Sequence, residues 1–246
     1  MIDSIVNEFK NQLKKNDPKL PRDKRERMYK IINSDNLNFK SYGFKIGEIE
    51  KIVRTIYEKY SCSYDEAVEV FKELIKSDIN DEKITAVFYL NRFKKNFSAE
   101  TINLLYTEFF KYCDNWGICD STMIRIIGPY LGKKGNERLA LDTIEKWSNS
   151  DEMWVRRASM VILLKLVMLR KDFDKDYVFS LVEKMNQTSE DYIQKGIGWM
   201  LKTCSNYKPD VIFNYLMENK TALSRLILRY ASEKLTKEKR AEVLSK

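Results

Sequence analysis

The chain has 246 residues and a net charge of +8, from 44 Lys and Arg against 36 Asp and Glu, a basic excess that favours an anionic partner, nucleic acid before a membrane surface, with ordinary solubility as the alternative. Only 8 glycines and 4 prolines interrupt it, too few turn-formers for a strand-rich fold, so an all-α protein is expected. It contains no histidine, which excludes His general bases, His metal ligands and every Ser-His or Cys-His nucleophile.

In chain order, "MIDSIVNEFKNQLKK" reads as an amphipathic helix without a secretory apolar region. "RERMYKII" carries Tyr29, and the segment Ser34–Gly47 reads as a loop between helices. Helical patterns follow from Asp81 ("DEKITAVFYLNRF") and in "ETINLLYTEFFKYC". Three stretches then align without gaps: "NWGICDSTMIRII", "MWVRRASMVILLK" and "DYIQKGIGWMLKT". Trp116, Trp154 and Tyr192 occupy one column at steps of 38 residues; Asp120, Ala158 and Gly196 share another, and Ser121 and Ser159 the next. "ERLALDTIEKW" and "YVFSLVEKM" lie between them as the outer helices of pairs, and "DVIFNYLMEN" and "TALSRLILRYASEKL" continue the series. Ser150 and Ser189 read as N-caps, each followed by acids in a first turn.

A helical period near 40 is the signature of paired-helix solenoids. The expectation is one domain over residues 1–246, with less regular helices over about 1–62 and HEAT-like repeats over about 75–235, wound as a right-handed superhelical solenoid with a basic concave face. The apolar run "MVILLKLVML" is too short to span a membrane and carries Lys165. Cys62, Cys113, Cys119 and Cys204 form no CxxC pair, so no zinc site is expected, and such cysteines suggest a reducing cytoplasm. A monomer without metal, cofactor or membrane partner is the simplest reading.

Trp116 and Asp120 are i and i+4, on one helix face, amid Ile118, Cys119 and Met123. A carboxylate there is costly unless something pairs with it or uses it. The equivalent helices bring Arg156, Arg157, Lys195, Trp199 and Lys202. Cations interleaved with aromatics suit nucleic acid, the cations for phosphates and the rings for sugars and bases. The alternatives are indoles packed in the core, Tyr29 as an anchor of the first helix pair, and Asp120 with Arg157 as an ion pair locking two repeats together.

"CDNWGICDS", "WVRRAS" and "YIQKGIGWMLK" followed by "KPDVIFNYL" resemble the DNA alkylation repair enzymes, the AlkD-like HEAT-repeat glycosylases. "IQKGIGWMLK" is the most specific piece; "W-x-x-x-D-S" is specific only in this context. The likeness covers roughly residues 75–235 well and the first 60 loosely. It implies hydrolysis of the N-glycosidic bond of N3-alkyladenine and N7-alkylguanine in duplex DNA. It also implies a catalytic Asp at Asp120, an active-site Trp pair at Trp116 and Trp199, an Arg at Arg157 and an N-terminal Tyr at Tyr29. A non-catalytic DNA-binding relative and a protein-binding scaffold are the alternatives.

Overall fold

A computed structural model describes residues 1–32 and 38–245; of the expected Ser34–Gly47 loop, residues 34–37 lie outside the described residues. The described residues are helical with no strand; their only β-type pairing is an isolated parallel bridge between Lys40 and Ile79. No helix among them is long and apolar enough to cross a membrane. The chain divides into two compact units, Met1–Thr122 and Met123–Lys246.

The first unit begins with α1 (Ile2–Lys15), which buries Ile5, Val6, Phe9 and Leu13, an i, i+4, i+8 stripe that fixes its inward face. α2 (Arg22–Ile32) buries no residue, and non-helical chain over 38–45 leads to α3 (Ile46–Lys59). α4 (Tyr64–Leu74) starts at a capping box, Ser63 accepting from the Glu66 amide while Glu66 accepts from the Ser63 amide. α5 (Asn80–Leu90) packs on α3 and α4 and is buried along its whole length. Its first turn nevertheless carries Asp81, Glu82 and Lys83, and each is paired, as buried charges must be. Asp81 accepts from the Ser41 hydroxyl (2.7 Å) and from the amides of Tyr42 (2.8 Å) and Phe44 (3.0 Å), clamping the preceding loop. Glu82 accepts from Ser77 Oγ at 2.7 Å, and Lys83 reaches Asp114. α6 (Ala99–Leu104) continues through a π-helical stretch, Leu105–Phe109, and a 3-10 turn, Phe110–Tyr112. The unit ends with α7 (Trp116–Thr122), packed on α5.

The second unit opens with a π-helical turn, Met123–Ile127, that continues directly into α8 (Gly128–Leu131). Then come α9 (Glu137–Ser148), α10 (Met153–Arg170), α11 (Lys175–Met185), α12 (Asp191–Ser205), α13 (Pro209–Glu218), α14 (Arg225–Ala231) and α15 (Lys237–Leu244). α10 packs between α9 and α12, and α12 between α10 and α14, so two of the three stretches expected to be equivalent, those on α10 and α12, are neighbours. α9 and α11 coincide with the expected outer helices. α8 comes so close to α10 that a Cβ on Gly128 would stand 2.6 Å from Lys165 Cγ. The Lys165 stem thus lies along that contact, which is how its charge is tolerated within an apolar run.

The 38-residue repeat is visible in hydrogen bonds. The Ser150 hydroxyl accepts from the Glu152 amide at 3.2 Å, and the Thr188 hydroxyl, 38 positions on, accepts from the Glu190 amide at 3.1 Å. Arg156 donates to the Ser150 carbonyl and Gln194, its equivalent, to the Thr188 carbonyl. This corrects the expected caps: Glu152 and Glu190 hold the cap positions, and Thr188 rather than Ser189 is the counterpart of Ser150. The hydroxyls act one step earlier, turning the chain into each helix.

Candidate active site

The first unit supplies Trp116, Asp120 and Tyr29. Asn115, fully buried, starts α7: its Oδ1 accepts from the Ile118 amide at 3.0 Å, satisfying one of the donors a helix start leaves open. Trp116 follows, half-buried, its indole N–H donating to the Ile31 carbonyl at the end of α2 (2.9 Å). One turn on, Asp120 is 6% exposed, below Trp116 on the same helix face. Ser121 Oγ is turned back onto its own helix, to the carbonyl of Ile118 at 3.3 Å, and Ser159 does the same to Arg156 at 2.7 Å, so this column serves the backbone. Cys113 and Cys119, a hydrogen-bonded thiol pair, flank Trp116; burial, then the Cys119 neighbour, pushes the Cys113 thiol well up, so it stays protonated and unreactive.

Tyr29 has a local task. Its hydroxyl donates to the Ser41 carbonyl (3.1 Å) and accepts the Ser41 amide (3.2 Å), and its ring meets Phe39 edge-on at 5.2 Å. These bonds fasten the chain after α2 to α2 itself.

The second unit supplies the cations and the second indole. Arg157 is only 5% exposed, and its Nη1 donates to the Tyr192 carbonyl. Gly196 lies beside it: a Cβ there would make ordinary contact with that nitrogen at 3.5 Å and crowd Met160 Cε at 2.9 Å. Arg156, on the neighbouring face, donates to the carbonyls of Ser150 (2.9 Å) and Asp151 (2.6 Å) and pairs with Glu190. Trp154 and Tyr192 stack at 5.0 Å with a 44° tilt, two members of one sequence column side by side. Lys195 Nζ lies 5.5 Å from the Tyr192 ring centre and 3.4 Å from Asp191. Lys202 pairs with Glu233. Trp199 is half-buried on α12, beside Gly198, whose missing side chain lets α12 close on Tyr230 of α14.

Within the first unit, then, Trp116 and Asp120 come together on one helix face; within the second, Arg157, Lys195, Trp154 and Tyr192 gather where α10 meets α12. Asn115 escaped the sequence reading, although an Asn immediately before an apolar-periodic stretch is a start signal in its own right. The bonds of Asp81 and Lys83 had no such signal, because their partners are about 30–40 residues away.

The family of DNA alkylation repair enzymes matches residues 3–235. No curated protein matches the chain. Among solved structures the fold is similar to that of a predicted DNA alkylation repair enzyme from Enterococcus faecalis, with TM-score 0.74, 18% identity, and 88% of this chain and 96% of that one covered. It is also similar to AlkD2 from Streptococcus mutans, with TM-score 0.58, 19% identity, and 78% and 90% covered. At such identities the solved structures speak for the fold alone, but the family match runs over nearly the whole sequence. The chain belongs to the DNA alkylation repair enzyme family.

Proposed function

We propose that this protein is a monofunctional DNA glycosylase that hydrolyses the N-glycosidic bond of cationic alkylated purines, N3-alkyladenine and N7-alkylguanine, in duplex DNA. The observation that carries the reading is a carboxylate, Asp120, 6% exposed and one turn from the half-buried indole of Trp116, in a repair-family chain without a histidine. An alkylated purine of this kind is already positively charged and departs without a general acid. Positive charge then develops on the deoxyribose, and a fixed carboxylate both stabilises it and orients the attacking water. The indole faces of Trp116 and Trp199 add cation–π attraction, about 0.5–2 kcal/mol each.

Arg157, Lys195, Lys202 and Tyr29 are proposed to hold the DNA backbone, Lys202 and Tyr29 with smaller shares, because Glu233 and the Ser41 backbone already engage them. Arg156 contributes less, because Ser150, Asp151 and Glu190 already occupy its guanidinium. The protein works without metal or cofactor, as a cytoplasmic monomer. Release of N3-methyladenine and N7-methylguanine from methylated duplex DNA tests the reading. DNA binding with no base released would instead identify a non-catalytic relative.

A further inference from the structure

Asn115 is held by more than a helix start needs. It is 0% exposed. Its Nδ2 donates to Asn80 Oδ1 and to Asp114 Oδ1, both at 2.9 Å, while its Oδ1 accepts the Ile118 amide. The amide has one workable orientation, because flipping it would set an NH2 against an N–H and an oxygen against two oxygens. Asp114 is gripped in turn by Lys83, whose side chain is 8% exposed and whose Nζ donates to Asp114 Oδ2 (3.1 Å) and to the Tyr112 carbonyl (2.9 Å). Residues 112–115 are therefore fastened to the first turn of α5. On its other side the first turn of α7 is fastened to α2 through the Trp116 indole. Gly117 closes the arrangement, since a Cβ there would stand 3.0 Å from Asn115 Oδ1 and 3.4 Å from Ile32 Cγ2.

A helix cap needs only a side-chain acceptor, and serine supplies one. The donor half of the Asn115 amide is thus surplus to capping. A buried polar cluster with every bond made specifies a single arrangement rather than a family of similar ones. We infer that Asn115 is a positioning residue: its carboxamide, bound to Asn80 and to the Asp114–Lys83 pair, sets the direction of the first turn of α7 and so the places of Trp116 and Asp120. The catalytic consequence rests on the proposed function; the positioning does not.

Asn115→Ser keeps the cap acceptor and removes the link to Asn80; Asn80→Ala breaks the same link from the other side. In both variants the indole N–H resonance of Trp116 should shift or broaden while those of Trp147, Trp154 and Trp199 stay in place. Single-turnover excision of N3-methyladenine should fall about 10–100-fold, the penalty for a slight misplacement of reacting groups, with affinity for undamaged duplex unchanged. An unmoved Trp116 resonance in the two variants overturns the positioning; wild-type excision in an active protein whose resonance has moved overturns its catalytic consequence. If the wild-type protein excises nothing, the proposed function falls and the resonance alone decides the role of Asn115. Amide exchange at Ile118 serves as the control: protection retained in Asn115→Ser shows that the cap survives and that the lost link is what acted.

Discussion

Asp120 and Arg157 are both almost fully buried, at 6% and 5% exposure, and a buried charge has either a structural task or a chemical one. Asp120→Asn separates the two, because the amide is nearly isosteric and loses only the charge. If the carboxylate stabilises a developing cation, excision should fall by about 10²–10³, or roughly 3–4 kcal/mol, while binding to undamaged DNA holds or tightens. If it is structural, the melting temperature falls and activity per folded molecule survives; melting and single-turnover excision on one preparation decide. The two neighbouring arginines form a second comparison. Arg157→Ala should flatten the slope of log K against log salt by about 0.9, the value of one phosphate contact. Arg156→Ala should flatten that slope by less and cost about 1–2 kcal/mol of stability, because the carbonyls of Ser150 and Asp151 lose a donor and Glu190 its ion-pair partner. Denaturant melts and salt-titrated binding give both numbers. The sequence could name Trp116, Asp120 and Arg157, because they stand in short motifs or repeated columns. It set Arg157 before Arg156 through the motif alone; what each guanidinium meets, the Tyr192 carbonyl for Arg157 and Ser150, Asp151 and Glu190 for Arg156, appears only in the packing, since adjacent residues on a helix point about 100° apart.

Helices were legible where one face is apolar and the other polar. α1, α9 and α11 show that pattern and appear where it places them. α5 was legible as a helix from Asp81, but not as one buried all round, because its three charged residues are paired inside the protein rather than in water. Such a helix offers no polar face to read, and its partners become visible only when chain segments about 30–40 residues away are in place. The repeat was legible as a column of large side chains, yet its most regular expression is a pair of hydroxyl-to-amide bonds at Ser150 and Thr188, where the side chains differ and only the donor and acceptor pattern is kept. Close approach between helices is specified by absent side chains. A Cβ on Gly198 would stand 2.5 Å from Tyr230 Cβ, a backbone-proximal atom that cannot swing away. Gly198→Ala should therefore push α12 and α14 apart and destabilise the fold by about 1–3 kcal/mol, despite the better helix propensity of alanine. A stability equal to or above the wild type in denaturant melts would show that the contact between α12 and α14 yields without strain.

For the molecule as a whole, the absence of histidine from 246 residues leaves no side chain whose ordinary titration falls between about pH 5 and 8. The cysteines do not fill the gap where burial governs them: it pushes Cys62 and Cys113 up, and Cys204 to about 12, so each stays a neutral thiol through that range. Raised thiol values mean that ionisation begins only on the alkaline side, so they add nothing on approach from neutral pH. The proposed chemistry requires no proton donor either, because the leaving base is already a cation. Two expectations follow from the same cause. The rate of single-turnover excision of N3-methyladenine should be level between about pH 5.5 and 7.5, without the limb that a histidine acid or base would impose. A neutral purine lesion such as deoxyinosine, which does need protonation to leave, should not be released at a comparable rate, since the chain has no histidine to supply the proton. A rate that follows a single ionisation near pH 6.5, or release of hypoxanthine as fast as N3-methyladenine, would mean that a proton is being delivered, and the role of Asp120 as a purely electrostatic stabiliser would have to be given up.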